Sequence, residues 1–243
     1  MAVPLPEGGR SISFAADVDP DVFEAKVHLL AGVPGLTSVK IGFEVGLGLR
    51  LRDAVDAAHE SGLSAVYDHQ KAGNDIPATG KGFGRAMERG GVEAAILFPF
   101  AGPVTQERWT RELMDRGIRV ISGAEMTHDQ IEARDDGLAG GYIHGAAFER
   151  MFALAVGLGV RDFVVPGNKP GKVATYKAFL DREIGEGGFS LWAPGFVTQG
   201  GDLSETGAVA GLNFNAIVGS GIYDAEDPRT AALQLGQKVL ALN

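Results

Sequence analysis

The chain has 243 residues, 45% hydrophobic and 22% charged, with a formal net charge of −9 and no cysteine. The size suits one large α/β domain, and the acidic balance without a dense Lys/Arg run excludes a protein that coats nucleic acid. Lack of cysteine excludes disulfides, thiolate catalysis and Cys-ligated zinc or iron–sulfur clusters. The opening MAVPLPEGGR has no apolar h-region, and no apolar run is long enough to span a bilayer. The expected protein is therefore soluble and cytoplasmic, with no membrane partner. An anionic substrate would need a local positive site rather than a global field.

Eight short apolar runs recur along the chain. They are SISFAADV (11–18), TSVKIGF (37–43), LSAVYDHQ (63–70), GVEAAILFPF (91–100), IRVISGAEM (118–126), RDFVVPG (161–167), FSLWAPGF (189–196) and FNAIVGSGIY (214–223). Each is rich in Val, Ile, Phe and Ala and ends in Gly, Pro or polar residues, as buried parallel strands do. Helical patterns lie between them. The first opens at Asp19-Pro20, an acidic cap with proline just inside. Others are expected over 49–61, 106–116, 148–158 and 174–184, with a last helix over 228–242. GKGFGRAMERG (80–90) lacks a Walker pattern and reads as the helix after the third strand. DDGLAGG (135–141) reads as a flexible surface loop. Eight strands alternating with helices predict a (β/α)8 TIM barrel forming a single domain over 1–243. The rival is a doubly wound open sheet, but no Gly-x-Gly-x-x-Gly follows the first strand.

In a barrel the carboxyl ends of the strands form the active-site face. Charges gather there from distant parts of the chain: Asp17, Lys40, Asp68, Lys71, Asp75, Glu125 and Lys169. Lysines and carboxylates in alternation keep each other ionised. That suits a lysine donating a proton to developing negative carbon better than Schiff-base chemistry, which needs a depressed lysine pKa. PGFVTQGGD (194–202) and VGSGIY (218–223) fall in the two loops where barrels commonly bind phosphate through backbone N–H groups. The five histidines show no metal-binding spacing. His69 is expected to be solvent-facing or to stand behind the site, His128 to position a loop, Glu125 to make a structural hydrogen bond, and Trp109 and Trp192 to serve as core or dimer contacts.

The ordered landmarks AADVD (15–19), VKIG (39–42), DHQKAGNDIPATG (68–80), GAEMTH (123–128), APGFVTQGGD (193–202) and AIVGSGIYDAEDP (216–228) resemble the orotidine 5′-phosphate decarboxylase superfamily of barrels. The spacing Asp-x-x-Lys-x-x-x-Asp is one residue wider on each side than the commoner Asp-x-Lys-x-x-Asp. The resemblance implies a charged tetrad of Lys40, Asp68, Lys71 and Asp75, with Lys71 protonating C6 of the pyrimidine as carbon dioxide departs. Asp68 would press on the substrate carboxylate and hold Lys71. Lys40 would hold Asp68 and a ribose hydroxyl, and Asp17 would bind ribose. Asp75, Ile76 and Thr79 would reach a partner subunit's site in a homodimer. Thr127, in place of the usual serine, would bond the pyrimidine. Gln199 would bridge base and phosphate, with Gly200, Gly219 and Ser220 completing the substrate site. No metal or organic cofactor is implied. Ser220 stands where the family carries a phosphate-gripping arginine, leaving the grip to backbone N–H groups or Lys169, or pointing to another substrate. Magnesium-dependent sugar-phosphate enzymes of the same superfamily place a glutamate where this chain has Lys40. A non-catalytic nucleotide-binding barrel is the remaining alternative.

Overall fold

A computed structural model describes residues 3–69, 74–133, 140–196 and 200–242. Eight parallel strands close into a barrel in chain order: β1 (Arg10–Ala16), β2 (Leu36–Ile41), β3 (Ser64–Asp68), β4 (Ala94–Leu97), β5 (Arg119–Gly123), β6 (Asp162–Val164), β7 (Ser190–Pro194) and β8 (Phe214–Val218). The surrounding helices are α1 (Pro20–Leu29), α2 (Phe43–Gly48), α3 (Leu51–Glu60), α4 (Gly80–Gly90), α5 (Pro103–Met114), α6 (Ala146–Gly157), α7 (Pro170–Ile184), α8 (Leu203–Ala210), α9 (Ser220–Tyr223) and α10 (Pro228–Leu240).

All eight expected strands form, each shorter than its apolar run. The run 214–223 leaves the sheet after Val218 and turns into α9 at Ser220. The expected helix over 49–61 is α3, and α2 precedes it unannounced, because Phe43–Gly48 is too short and too glycine-rich to carry a helical period. Asp19 caps α1 as its sequence suggests, accepting from the Asp21 amide at 2.8 Å. Most of the loop expected over 135–141 lies outside the described residues.

Two apolar layers hold the fold. Ala15, Val66, Ala94, Ile96, Ile121, Val164, Trp192 and Ile217 fill the barrel axis, and a larger cluster packs the outer strand faces against the helices. Fully burying a side chain as large as Phe14 or Trp192 contributes roughly 1.5–3 kcal/mol or more. Trp192 also donates its Nε1–H to buried Asp162 at 3.0 Å. The N-terminal segment closes the base. Leu5 joins the axial layer, Ser64 Oγ donates to the Val3 carbonyl at 2.8 Å, and an Arg119 guanidinium N–H donates to the Pro6 carbonyl at 3.1 Å. Ser64 and Arg119 are the first residues of β3 and β5, so this plug sits opposite the mouth.

Candidate active site

Successive side chains of a strand point to opposite faces. Ala15 and Val66 belong to the axial layer, and the register sets Lys40 between them. Lys40 therefore points inward, although it sits among Val39 and Ile41. Asp17 and Asp68 each follow an inward residue by two, which brings both carboxylates to the lysine. Lys40 Nζ donates to Asp68 Oδ2 at 2.6 Å and lies 3.2 and 3.3 Å from the two oxygens of Asp17. The Lys40 and Asp68 side chains are 4% and 0% exposed, that of Asp17 28%. Burial acts to lower the Lys40 pKa, but the charges of Asp68 and Asp17, and their hydrogen bonds, outweigh it and hold the ammonium above its ordinary value. Taking either partner from such a pair leaves a buried charge uncompensated, a cost of about 3–5 kcal/mol.

One glycine makes this arrangement possible. A Cβ at Gly42, two residues after Lys40, would lie 2.5 Å from Asp17 Oδ1 and displace that carboxylate. The motif VKIG contained this residue, but its role depends on a contact across strands that spacing does not reveal.

Above the lysine lies a cavity of about 480 Å³ at the mouth, whose wall includes Asp17, Lys40, Thr127, His128, Gly219, Ser220 and Tyr223. Of the residues proposed from sequence, the structure thus gathers Asp17, Lys40, Thr127, Gly219 and Ser220 around one space, with Asp68 beneath. Lys71 and Gln199 lie outside the described residues. Asp75, Ile76 and Thr79 do not line this cavity. They sit apart, Asp75 and Ile76 exposed and Thr79 half-buried, tied to one another by an Asp75 Oδ1 bond from the Ile76 amide at 2.7 Å and a Thr79 Oγ1 bond to the Ile76 carbonyl at 2.7 Å. Gly200 is exposed, in the left-handed region at φ 79°. Tyr223 was not singled out from sequence. It closes one side of the cavity, and burial, then the nearby charge of Asp17, pushes its hydroxyl pKa up.

The expected phosphate end is only partly open to an anion. The loop after β7 does lead into α8, but Asp202 caps that helix and accepts from the Ser204 and Glu205 amides at 2.7 and 3.0 Å. Those bonds hold its carboxyl below the usual carboxylate range and occupy the donors a phosphate would use. Lys169 is committed elsewhere too. Its Nζ donates to Glu125 Oε1 at 3.0 Å and to the Met126 and His128 carbonyls at 3.0 and 3.3 Å. Glu125 is 2% exposed and also accepts from the Tyr176 hydroxyl at 2.6 Å, the structural bond its position suggested. His128, whose carbonyl Lys169 holds, is exposed at the cavity rim.

His69 is not solvent-facing. Its ring packs 4.4 Å from Phe83 and 5.2 Å from Trp109, centroid to centroid. Among the described residues no group of three His, Asp or Glu side chains stands close enough to hold a metal ion, and no helix is long and apolar enough to cross a membrane.

No family model matches the chain. Curated proteins do. The chain is 26% identical over 200 residues to the orotidine 5′-phosphate decarboxylase of Methanosarcina mazei, covering 82% of this chain and 83% of that protein. It is 26% identical over 205 residues to the protein of that name from Thermococcus kodakarensis, covering 84% and 85%. Among solved structures, orotidine 5′-monophosphate decarboxylase from Methanocaldococcus jannaschii, complexed with the inhibitor BMP, superposes with a TM-score of 0.79 at 18% identity, covering 95% of this chain and 99% of that one. The Pyrococcus horikoshii orotidine 5′-phosphate decarboxylase gives 0.74 at 21% identity, covering 94% and 98%. The resemblance read from the landmarks is therefore present along most of the chain, and the barrel is the fold of these proteins.

Proposed function

We propose that this chain is a carboxy-lyase that decarboxylates orotidine 5′-monophosphate to uridine 5′-monophosphate in pyrimidine biosynthesis, in the cytoplasm and without a metal or organic cofactor. The similarity to proteins of that name supports the substrate. The observation that carries the chemistry is Lys40 clamped between Asp68 and Asp17 beneath the cavity. A carboxylate buried against an ammonium at the foot of the pocket would repel a substrate carboxylate and favour its loss.

In this reading the C6–carboxyl bond breaks, its electron pair stays on C6, and the Lys71 ammonium gives C6 a proton. Lys71 regains its proton from solvent. Asp68 raises the energy of the bound carboxylate, and Lys40 holds Asp68 in place. Asp17 binds ribose, Thr127 the pyrimidine. Gln199, Gly200, Gly219 and Ser220 serve the phosphate end, whose remote binding energy supports the reacting geometry. Asp75, Ile76 and Thr79 serve the site of a partner subunit. Their exposure, 62% for Ile76, fits a surface covered in a homodimer.

The test is loss of orotidine monophosphate absorbance in EDTA. Turnover there supports the reading, and its absence with intact protein overturns it. Mixing a Lys71→Ala chain with an Asp75→Asn chain tests the dimer, because mixed dimers then rebuild one complete site. A second reading has one observation in its favour. Ser220 occupies the arginine position, and Lys40 and His128 are the basic side chains in the described cavity wall. A different phosphorylated substrate would then be decarboxylated or cleaved on the same scaffold.

A further inference from the structure

The segment between Asp68 and Asp75 is wider than the common motif, and its two ends rest on the same helix. At the first end, the His69 amide donates to the Ile96 carbonyl at 3.2 Å, carrying the β3–β4 ladder one residue past Asp68. The His69 ring then packs against Phe83 of α4 and Trp109 of α5, themselves stacked at 4.9 Å. At the second end, Thr105 Oγ1 donates to the Asp75 carbonyl at 3.1 Å, and Trp109 Nε1 donates to the Ile76 carbonyl at 3.2 Å. Trp109 thus touches both ends, one with its face and one with its N–H. Gly80 lets the indole in: a Cβ there would lie 2.6 Å from Trp109 Cδ1.

The chemistry of His69 is that of a ring, not of a base. Its Nδ1 is buried and has no hydrogen-bond partner among the described residues. Burial holds the imidazole below its ordinary pKa, with Asp68 opposing only in part, so the ring is neutral at working pH. A catalytic imidazole needs a nitrogen within reach of a proton to be moved.

We propose that His69 and Trp109 are positioning residues: an aromatic wedge and its brace on α5 that fix the two described ends of the motif, Asp68–His69 and Asp75–Ile76, and through them the two carboxylates. The proposal rests on the decarboxylase reading for its kinetic effect but not for its structural one.

The experiment compares His69→Phe, His69→Ala and Trp109→Phe. Phenylalanine at 69 keeps the wedge and removes the nitrogens, and phenylalanine at 109 keeps the face and removes the N–H. The expected result is His69→Phe within about twofold of the parent in kcat. His69→Ala and Trp109→Phe should fall by about 10-fold to 100-fold with KM changed less than threefold, the range for misplaced reacting groups. A kcat loss in His69→Phe as large as in His69→Ala overturns the wedge, as does an unchanged kcat in all three. If the parent does not decarboxylate orotidine monophosphate, the functional reading fails alone. Hydrogen exchange at the His69 and Ile76 amides then decides: faster in His69→Ala than in His69→Phe supports the wedge, and equal rates overturn it. Should His69→Ala not fold, Trp109→Phe against His69→Phe gives the same contrast.

Discussion

Among the described residues two lysine–carboxylate clusters stand at the mouth of this barrel, and they differ in how they meet the space beside them. On β1–β3, one lysine serves two carboxylates, Lys40 between Asp17 and Asp68, and the group faces a cavity of about 480 Å³. On the β5–β6 side one carboxylate serves three donors, Glu125 with Lys169 at 3.0 Å, Lys172 at 3.6 Å and Tyr176 at 2.6 Å. A recess of about 460 Å³ opens there too, so space alone does not separate them. The difference is in where the charges stand. An ammonium has three protons, and Lys169 gives all of them to Glu125 and two carbonyls. Lys172, which is 39% exposed, is tied to Glu132 at 2.7 Å, a bond that raises its pKa. The second cluster is a rivet between loops. The first stands at the floor and wall of the cavity, where Asp68 and Asp17 would face a bound substrate carboxylate.

The comparison can be broken most sharply at Lys71, the proposed proton donor. Lys71→Ala should lower kcat by up to about 10⁴-fold, the range for losing a general acid, with an unchanged melting temperature; normal decarboxylation would defeat the mechanism. Next comes Lys40→Met. It strands Asp68 and should cost about 3–5 kcal/mol in chemical denaturation unless that carboxyl takes up a proton, and turnover should disappear. Lys169→Met is the matched control. Glu125 keeps Tyr176 and Lys172, so stability should fall by about 1.5–3 kcal/mol, while kcat stays within about tenfold. A larger kinetic loss than in Lys40→Met would reverse the assignment of the two clusters. Ser220→Arg should lower KM by roughly tenfold if the phosphate grip is the deficit, since a charge-assisted bidentate contact is worth about 1.5–3 kcal/mol; an unchanged KM points to another anchor.

The smallest effect concerns acid. His69 has a folded pKa below its ordinary 6.5. The unfolded chain therefore takes up this proton first, so the stability contributed by the neutral ring is complete above pH 6.5 and is lost as pH falls through the folded value. Melting curves of the parent and His69→Phe should run parallel above that pH and diverge below it, the parent falling faster. Parallel curves throughout would mean that the ring titrates freely.

The barrel was legible because eight apolar runs, each ended by turn residues, leave few other ways to bury them. Lys40 could be read as functional because a charge between Val39 and Ile41 needs a reason. Other features depend on contacts between distant residues. Gly42 is one glycine among 36 until Asp17 is placed beside it. Asp202 looks like part of a glycine-rich phosphate loop until it is found capping α8. Lys169 looks free to cross the mouth until three oxygens claim it. The His69 ring reads as polar in sequence, whereas its neighbours in space are aromatic.

The N-terminal plug has a kinetic consequence. With Leu5 seated in the axial layer and Val3 and Pro6 tied to the first residues of β3 and β5, the base of the barrel is covered, and the cavity beside Lys40 opens at the mouth. Substrate and nucleotide product must use the same opening, in sequence. The nucleotide product should therefore compete with substrate for the free site, a pattern that initial-rate inhibition kinetics would read.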